Sequence, residues 1–206
     1  MYHLEGSSEC LIGTAEIPLA GMYANEIVDK HLLPHSMVAF SHCFRAEAGR
    51  GQHSHGLYRL HQFSKVEMLG LTEGHIDDSE ALLQQFVDIQ EEIVQDLGLK
   101  YRVLDMASEE LGSAAYRKFD IEAWLPSKKD YGEICSASNC TSYQSRRLNI
   151  NYFDANNEKK LVHTVNGTAL AVPRIILAII ETYWDEQKQW IKMPENLVPF
   201  LPFDRI

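Results

Sequence analysis

No apolar run in this 206-residue chain approaches the ~20 residues that a helix needs to span a bilayer; the longest, residues 175–180, is far shorter. A membrane-spanning helix is therefore not expected. Met1-Tyr2-His3-Leu4-Glu5 lacks the basic-then-apolar order of a secretory leader. Cysteine is sparse, with four residues at 10, 43, 135 and 140. None belongs to a CxxC pair and the spacings fit no common zinc pattern, so reduced, half-buried thiols of an intracellular protein are expected. In that context the sequons Asn139-Cys140-Thr141 and Asn166-Gly167-Thr168 read as chance. Basic residues are in deficit: 19 Lys and Arg face 29 Asp and Glu, a net charge of −10. Phosphate neutralisation needs clustered Lys and Arg, so a general nucleic-acid binder is disfavoured.

What is present suits one globular domain, because 45% hydrophobic and 23% charged residues are ordinary values for a chain of this length. Residues 18–28 favour a helix, with Pro18 near its first turn. Residues 37–44 alternate like a strand, and residues 57–71 read as its long antiparallel partner across a 48–56 loop. Asp77-Asp78-Ser79 offer N-caps to a helix carrying Leu82, Phe86, Ile89, Ile93 and Leu97 at helical spacing, with Gly98 as its stop. Further strands are expected at 101–106, 115–125, 131–137 and 161–165. A helix apolar on nearly all sides is expected at 175–184, and an extended tail from Pro194 to Pro202. Strands outnumber helices and run in hairpin order, which predicts an α+β fold, a mainly antiparallel sheet flanked by helices.

The most informative stretch lies at 44–67. Phe44-Arg45-Ala46-Glu47 and Tyr58-Arg59-Leu60-His61-Gln62-Phe63 read as the ends of two facing strands around a Gly- and His-rich loop. A guanidinium fork matches a pair of phosphate oxygens, a Phe offers a flat face to a purine and a Glu accepts from an amino group. These residues suggest a nucleotide held between antiparallel strands, without a glycine-rich phosphate loop.

This stretch resembles motif 2 of class II aminoacyl-tRNA synthetases, in the version found in seryl-tRNA synthetases. Gly13-Thr14-Ala15-Glu16 resembles that family's serine-pocket element, and Glu133-Ile134-Cys135-Ser136-Ala137-Ser138-Asn139-Cys140 its metal and ATP strand. Tyr143-Gln144-Ser145-Arg146-Arg147 is similar to the run that follows. Asn166-Gly167-Thr168-Ala169-Leu170-Ala171-Val172-Pro173-Arg174 resembles motif 3. The similarity runs from about residue 10 to the C-terminus, and its wording is closest to mitochondrial-type members. Motif 2 then spans about 37–67 and motif 3 about 161–184 of a single catalytic domain at 1–206. The family's motif 1 and its N-terminal tRNA-binding arm have no counterpart here, so a catalytic-domain portion is expected.

The resemblance implies ATP-dependent activation of L-serine and transfer to tRNA(Ser). Arg45 holds the α-phosphate of ATP, where charge builds up in the transition state. Glu47 accepts from the adenine amino group and Phe63 stacks on the ring, with Ala46 beside them; Arg59 and His61 join the same cradle. Glu133 and Ser136 carry Mg2+, with Ile134 and Cys135 between them on the ATP strand and Cys135 turned toward the core. Magnesium prefers few protein oxygens alongside phosphate and water. Arg174, at a strand-to-helix junction after Pro173, binds the γ-phosphate. Thr14, Ala15, Glu16, Arg45, Glu67 and Thr168 form the serine pocket, Glu67 taking the ammonium unless it is spent on a salt bridge with Lys65 or Arg45. Arg146 and Arg147 are assigned no role. His53 and His55 form an HxH without further ligands, and the resemblance places their loop at the tRNA acceptor end. A homodimer, and the mitochondrial matrix or alternatively the cytoplasm, also follow from the family. A relative that charges a carrier protein and a non-catalytic paralogue that binds a partner are the alternative readings.

Overall fold

A computed structural model describes residues 1–47 and 56–206. Its centre is a six-stranded antiparallel sheet of β1 (His35–Phe44), β2 (Gln62–Thr72), β3 (Tyr101–Asp105), β4 (Arg117–Leu125), β5 (Asp130–Thr141) and β8 (His163–Ala171), as the alternation predicted. The strand order is β1-β2-β8-β5-β4-β3. β1 and β2 form one hairpin and β3 to β5 a meander, and β8 closes the sheet by inserting between β2 and β5. Between β5 and β8 lie α3 (Tyr143–Leu148) and the small hairpin β6 (Asn151–Phe153) and β7 (Lys159–Leu161).

Side-chain alternation divides the two faces of the sheet. On one face lie α2 (Ile76–Asp96) and α4 (Val172–Tyr183). Leu82, Leu83, Phe86 and Val87 of α2 pack on Met68, Ala137, Val165 and Ala169. Ile175, Ala178 and Ile179 of α4 meet Ile121, Ala123, Ile134 and Cys135. Gly70 allows this contact, because a Cβ there would run into Leu82 and Phe86. On the other face Leu69 packs with Ala15, Leu19 and Ala20 around α1 (Glu16–Gly21), and Leu71 packs with Ile150, Tyr152 and Val162. Among the described residues no helix covers the rest of that face, toward Phe63, Lys65 and Glu67.

Several boundaries differ from the sequence expectation. α1 ends at Gly21, and the chain turns through Asn25 in the left-handed region that Asn tolerates, so no helix reaches residue 28. β2 starts at Gln62 instead of 57. Gly56, with φ of 67°, opens a 3-10 turn over Gly56–Tyr58. Strand alternation therefore does not apply to Arg59 and His61. His75 occupies the N-cap of α2, with Asp77 and Asp78 inside the first turn. Ser79 is buried and bonds back to the His75 and Ile76 carbonyls. Ile89 is 41% exposed, and the buried stripe of α2 runs through Ser79, Gln90 and Val94 instead. β5 and β8 extend well past the expected ends. In α4, Ile176 and Ile180 are exposed, so only one side of that helix is buried. The tail is no simple extension, since Val198–Phe200 forms another 3-10 turn.

Candidate active site

Two β-bulges set the phase of the site. Ile121 pairs with Cys135 while Glu122 pairs with Glu133, which leaves Ile134 as the extra residue. Ile134 and Cys135 consequently both point into the core, at 0% and 1% exposure. Glu133 and Ser136, three apart, then line the same cavity, which strict alternation forbids. On β8 the register steps between Val66 and Glu67, so that Ala169 is the extra residue between Thr168 and Leu170. Thr168 and Ala171 both line the cavity as a result. Behind the sheet, the buried Gln90 amide donates to the Ser136 carbonyl (2.9 Å) and the Thr168 carbonyl (2.8 Å). It clamps β5 to β8 just beyond the last paired residues, Ala137 and Gly167.

The cavity holds about 900 Å³. Thr14, Glu16, Arg45, Glu47, Phe63, Glu67, Glu133, Ser136, Thr168 and Arg174 all line it. Ile134 and Cys135 border it through their backbone, because their side chains are in the core. Ala15 and Ala46 are not in the lining; Ala15 is buried against Leu19 and Leu69, since its side chain faces the core side of the turn. Arg59 lines the cavity and His61 does not: the His61 ring bonds the Tyr2 hydroxyl at 2.5 Å. His53 and His55 lie outside the described residues, as does most of the predicted 48–56 loop. Arg147 is stacked on Tyr143 away from the lining.

One end of the cavity is cationic and aromatic. The Arg45 guanidinium sits 5.1 Å from the Phe63 ring centre, and its Nε donates to the Gly13 carbonyl at 3.4 Å. Glu47 leaves the strand with φ of 51° and pairs with Arg59, Nε to Oε2 at 2.9 Å. Arg174 Nη1 pairs with Glu133 Oε1 at 2.8 Å. Tyr58, which the sequence reading left without a role, is flanked by Arg174 and Lys128 at 5.5 Å and 4.5 Å from its ring centre. Gly132 makes room for it, because a Cβ there would overlap the phenol. Burial pushes the Tyr58 phenol up to about 12.

The other end is smaller and more polar. Asn166 Nδ2 donates to Glu16 Oε1 at 2.9 Å, and the Gln144 amide donates to the same oxygen. Lys65 Nζ lies 2.5 Å from Glu67 Oε2, so the salt bridge weighed for Glu67 is formed. Thr168 Oγ1 donates to that carboxylate oxygen at 3.2 Å. Burial raises the Glu67 carboxyl above the usual range, while Lys65 pulls it back down. Asn166 was given no role by the sequence reading, and Lys65 was weighed only as a salt-bridge partner for Glu67. Lys65 carried a signal, since Phe63, Lys65 and Glu67 share one strand face by alternation.

The four thiols are free, with Cys10 exposed and the others buried. Burial pushes Cys135 and Cys140 up to about 12, which keeps both neutral. Among the described residues no group of three or more His, Cys, Asp or Glu could hold a metal ion, and no helix is long and apolar enough to cross a membrane.

The class II tRNA synthetase core domain (G, H, P, S and T) matches residues 2–183. A Treponema denticola protein named serine–tRNA ligase is 49% identical over 209 residues, 100% of this chain and 49% of the relative. The mouse mitochondrial serine–tRNA ligase is 49% identical over 197 residues, 95% of this chain and 38% of the relative. The equal identities favour neither the mitochondrial nor the bacterial type. The crystal structure of seryl-tRNA synthetase from Pyrococcus horikoshii complexed with ATP superimposes with a TM-score of 0.94 at 42% identity, covering 100% of this chain and 46% of that one. The chain spans about half the length of the curated relatives it matches.

Proposed function

From the premise that this chain belongs to the class II tRNA synthetase core domain family, we propose that it activates L-serine with ATP and passes the seryl group to tRNA(Ser). The observation that carries this reading is one cavity lined by the expected nucleotide residues except Ala46 and His61 and by the expected amino-acid residues except Ala15. The relatives named as serine–tRNA ligases and the ATP complex of the archaeal neighbour support it.

In this reading the adenine ring lies against Phe63, with Glu47 accepting from its amino group. Arg45 meets the α-phosphate and Arg174 the γ-phosphate. The serine carboxylate attacks the α-phosphorus in line, the bond to the bridging oxygen breaks and pyrophosphate leaves. Negative charge grows on the phosphoryl oxygens during attack, and a guanidinium already held by the Gly13 carbonyl and the Phe63 ring stabilises it without reorganising. The protein contributes positioning and charge, and no side chain need form a covalent bond. The donor set suits Mg2+: a carboxylate and a hydroxyl, from Glu133 and Ser136, leave most of its coordination to phosphate oxygens and water. Bound there, Mg2+ would further neutralise phosphate charge.

We assign the whole of 1–206 to one catalytic unit on the same grounds. The tRNA, the homodimer and the mitochondrial matrix come from the family resemblance, and the mouse relative supports the last while the spirochaete relative weighs against it. Incubating the chain with α-labelled ATP and serine tests the chemistry. Serine-dependent labelled seryl-adenylate, a mixed anhydride discharged by added tRNA(Ser), is the expected product; no labelled adenylate from folded protein overturns the proposal.

A further inference from the structure

Lys65 is a charged residue of this cavity, almost fully buried, that the proposed chemistry does not use. It is 6% exposed and its partner Glu67 is 2% exposed. A buried ammonium is expensive unless it is paired, so its presence at a ligand site calls for a role. Its Nζ reaches Glu67 Oε2 at 2.5 Å and donates to Thr168 Oγ1 at 3.4 Å. The Thr168 hydroxyl in turn donates to Glu67. Lys65, Glu67 and Thr168 therefore form a closed polar cluster of zero net charge. Glu16, facing the same end, differs. Two carboxamides hold its Oε1, and among the described residues no Lys, Arg or His pairs with it. The amino-acid end thus carries one uncompensated negative charge, on Glu16, beside a neutral cluster of oriented oxygens.

We propose that Lys65 is a specificity-determining residue of this cavity: it cancels the Glu67 charge and fixes the Glu67 and Thr168 oxygens for an uncharged hydroxyl, leaving Glu16 to meet the ammonium of the bound amino acid. The inference rests on the serine reading and divides the roles within it. A hydroxyl-bearing amino acid satisfies the cluster. An analogue without the hydroxyl forgoes that hydrogen bond to a charged group and is held less tightly.

The test is equilibrium binding of L-serine and of L-alanine to the full chain at mildly alkaline pH, with ATP binding as the control for folding. The variants are Lys65→Met, Glu67→Gln and the double Lys65→Met/Glu67→Gln. Lys65→Met should lose serine affinity about tenfold to a hundredfold, the range for hydrogen bonds to charged groups. Alanine and ATP binding should change little, so the serine-to-alanine ratio falls. The double variant, which again holds a single negative charge, should regain most of the lost serine affinity. Equal losses for serine and alanine, or a double variant no better than Lys65→Met, overturn the inference and leave the serine reading in place. A wild-type chain that binds ATP but not serine overturns both.

Discussion

The Arg174 guanidinium and the Glu133 carboxylate form an ion pair, Nη1 to Oε1 at 2.8 Å, and Nη1 also reaches the Glu133 carbonyl at 3.3 Å. Arg174 therefore holds its fork against β5 from the first turn of α4, with Tyr58 over its face. Lysine keeps the charge but not the planar fork or the stacking. Arg174→Lys should raise the KM for ATP about tenfold or more and leave the KM for serine unchanged, as measured by serine-dependent pyrophosphate exchange. Equal rises in both constants would point to a general disturbance of the sheet.

Gln90 makes a prediction about stability. Its amide is buried and serves the Ser136 and Thr168 carbonyls where β5 and β8 stop pairing. Gln90→Leu preserves volume but leaves two buried carbonyls without a donor. An unsatisfied buried group costs about 1–3 kcal/mol, and removing the partnerless Gln90 Oε1 offsets one of the two orphaned carbonyls, so a net loss of about 1–3 kcal/mol is expected in urea unfolding. A loss below about 0.5 kcal/mol would show that the clamp carries no load.

His163 links stability to pH. Its Nδ1 lies 3.1 Å from the buried Ser79 hydroxyl, and burial, then nearby His75, lowers its pKa from the ordinary 6.5. The unfolded chain then binds a proton that the folded chain refuses. Stability should fall as pH drops below about 6.5 and level off below the folded-state pKa. His163→Gln should flatten that part of the urea-midpoint profile, whereas an unchanged slope would place the effect on other groups.

The sheet and its hairpins were legible because alternation is a direct consequence of pleating, and the 206 residues carry it clearly in 37–44 and 115–125. The residues that the resemblance assigns to the nucleotide, Arg45, Glu47, Phe63, Glu133 and Arg174, do converge on one cavity. What escaped were departures from regularity. The turn at Gly56–Tyr58 depends on a positive φ that composition does not announce, so the strand expected from residue 57 begins only at Gln62. The polar–apolar–apolar–polar order of Glu133-Ile134-Cys135-Ser136 does break alternation, and it marks the bulge that brings Glu133 and Ser136 to one cavity. Lys65 was weighed only as one of two salt-bridge partners for Glu67, and the structure forms that pair.

Serine-dependent ATP–pyrophosphate exchange, run on this chain beside its Arg45→Ala variant, tests the central claim most directly. The account predicts exchange that requires serine and falls about a hundredfold or more in the variant, as removal of a preplaced group that stabilises transition-state charge does. Folded wild-type chain without exchange, or exchange that persists in Arg45→Ala, contradicts it.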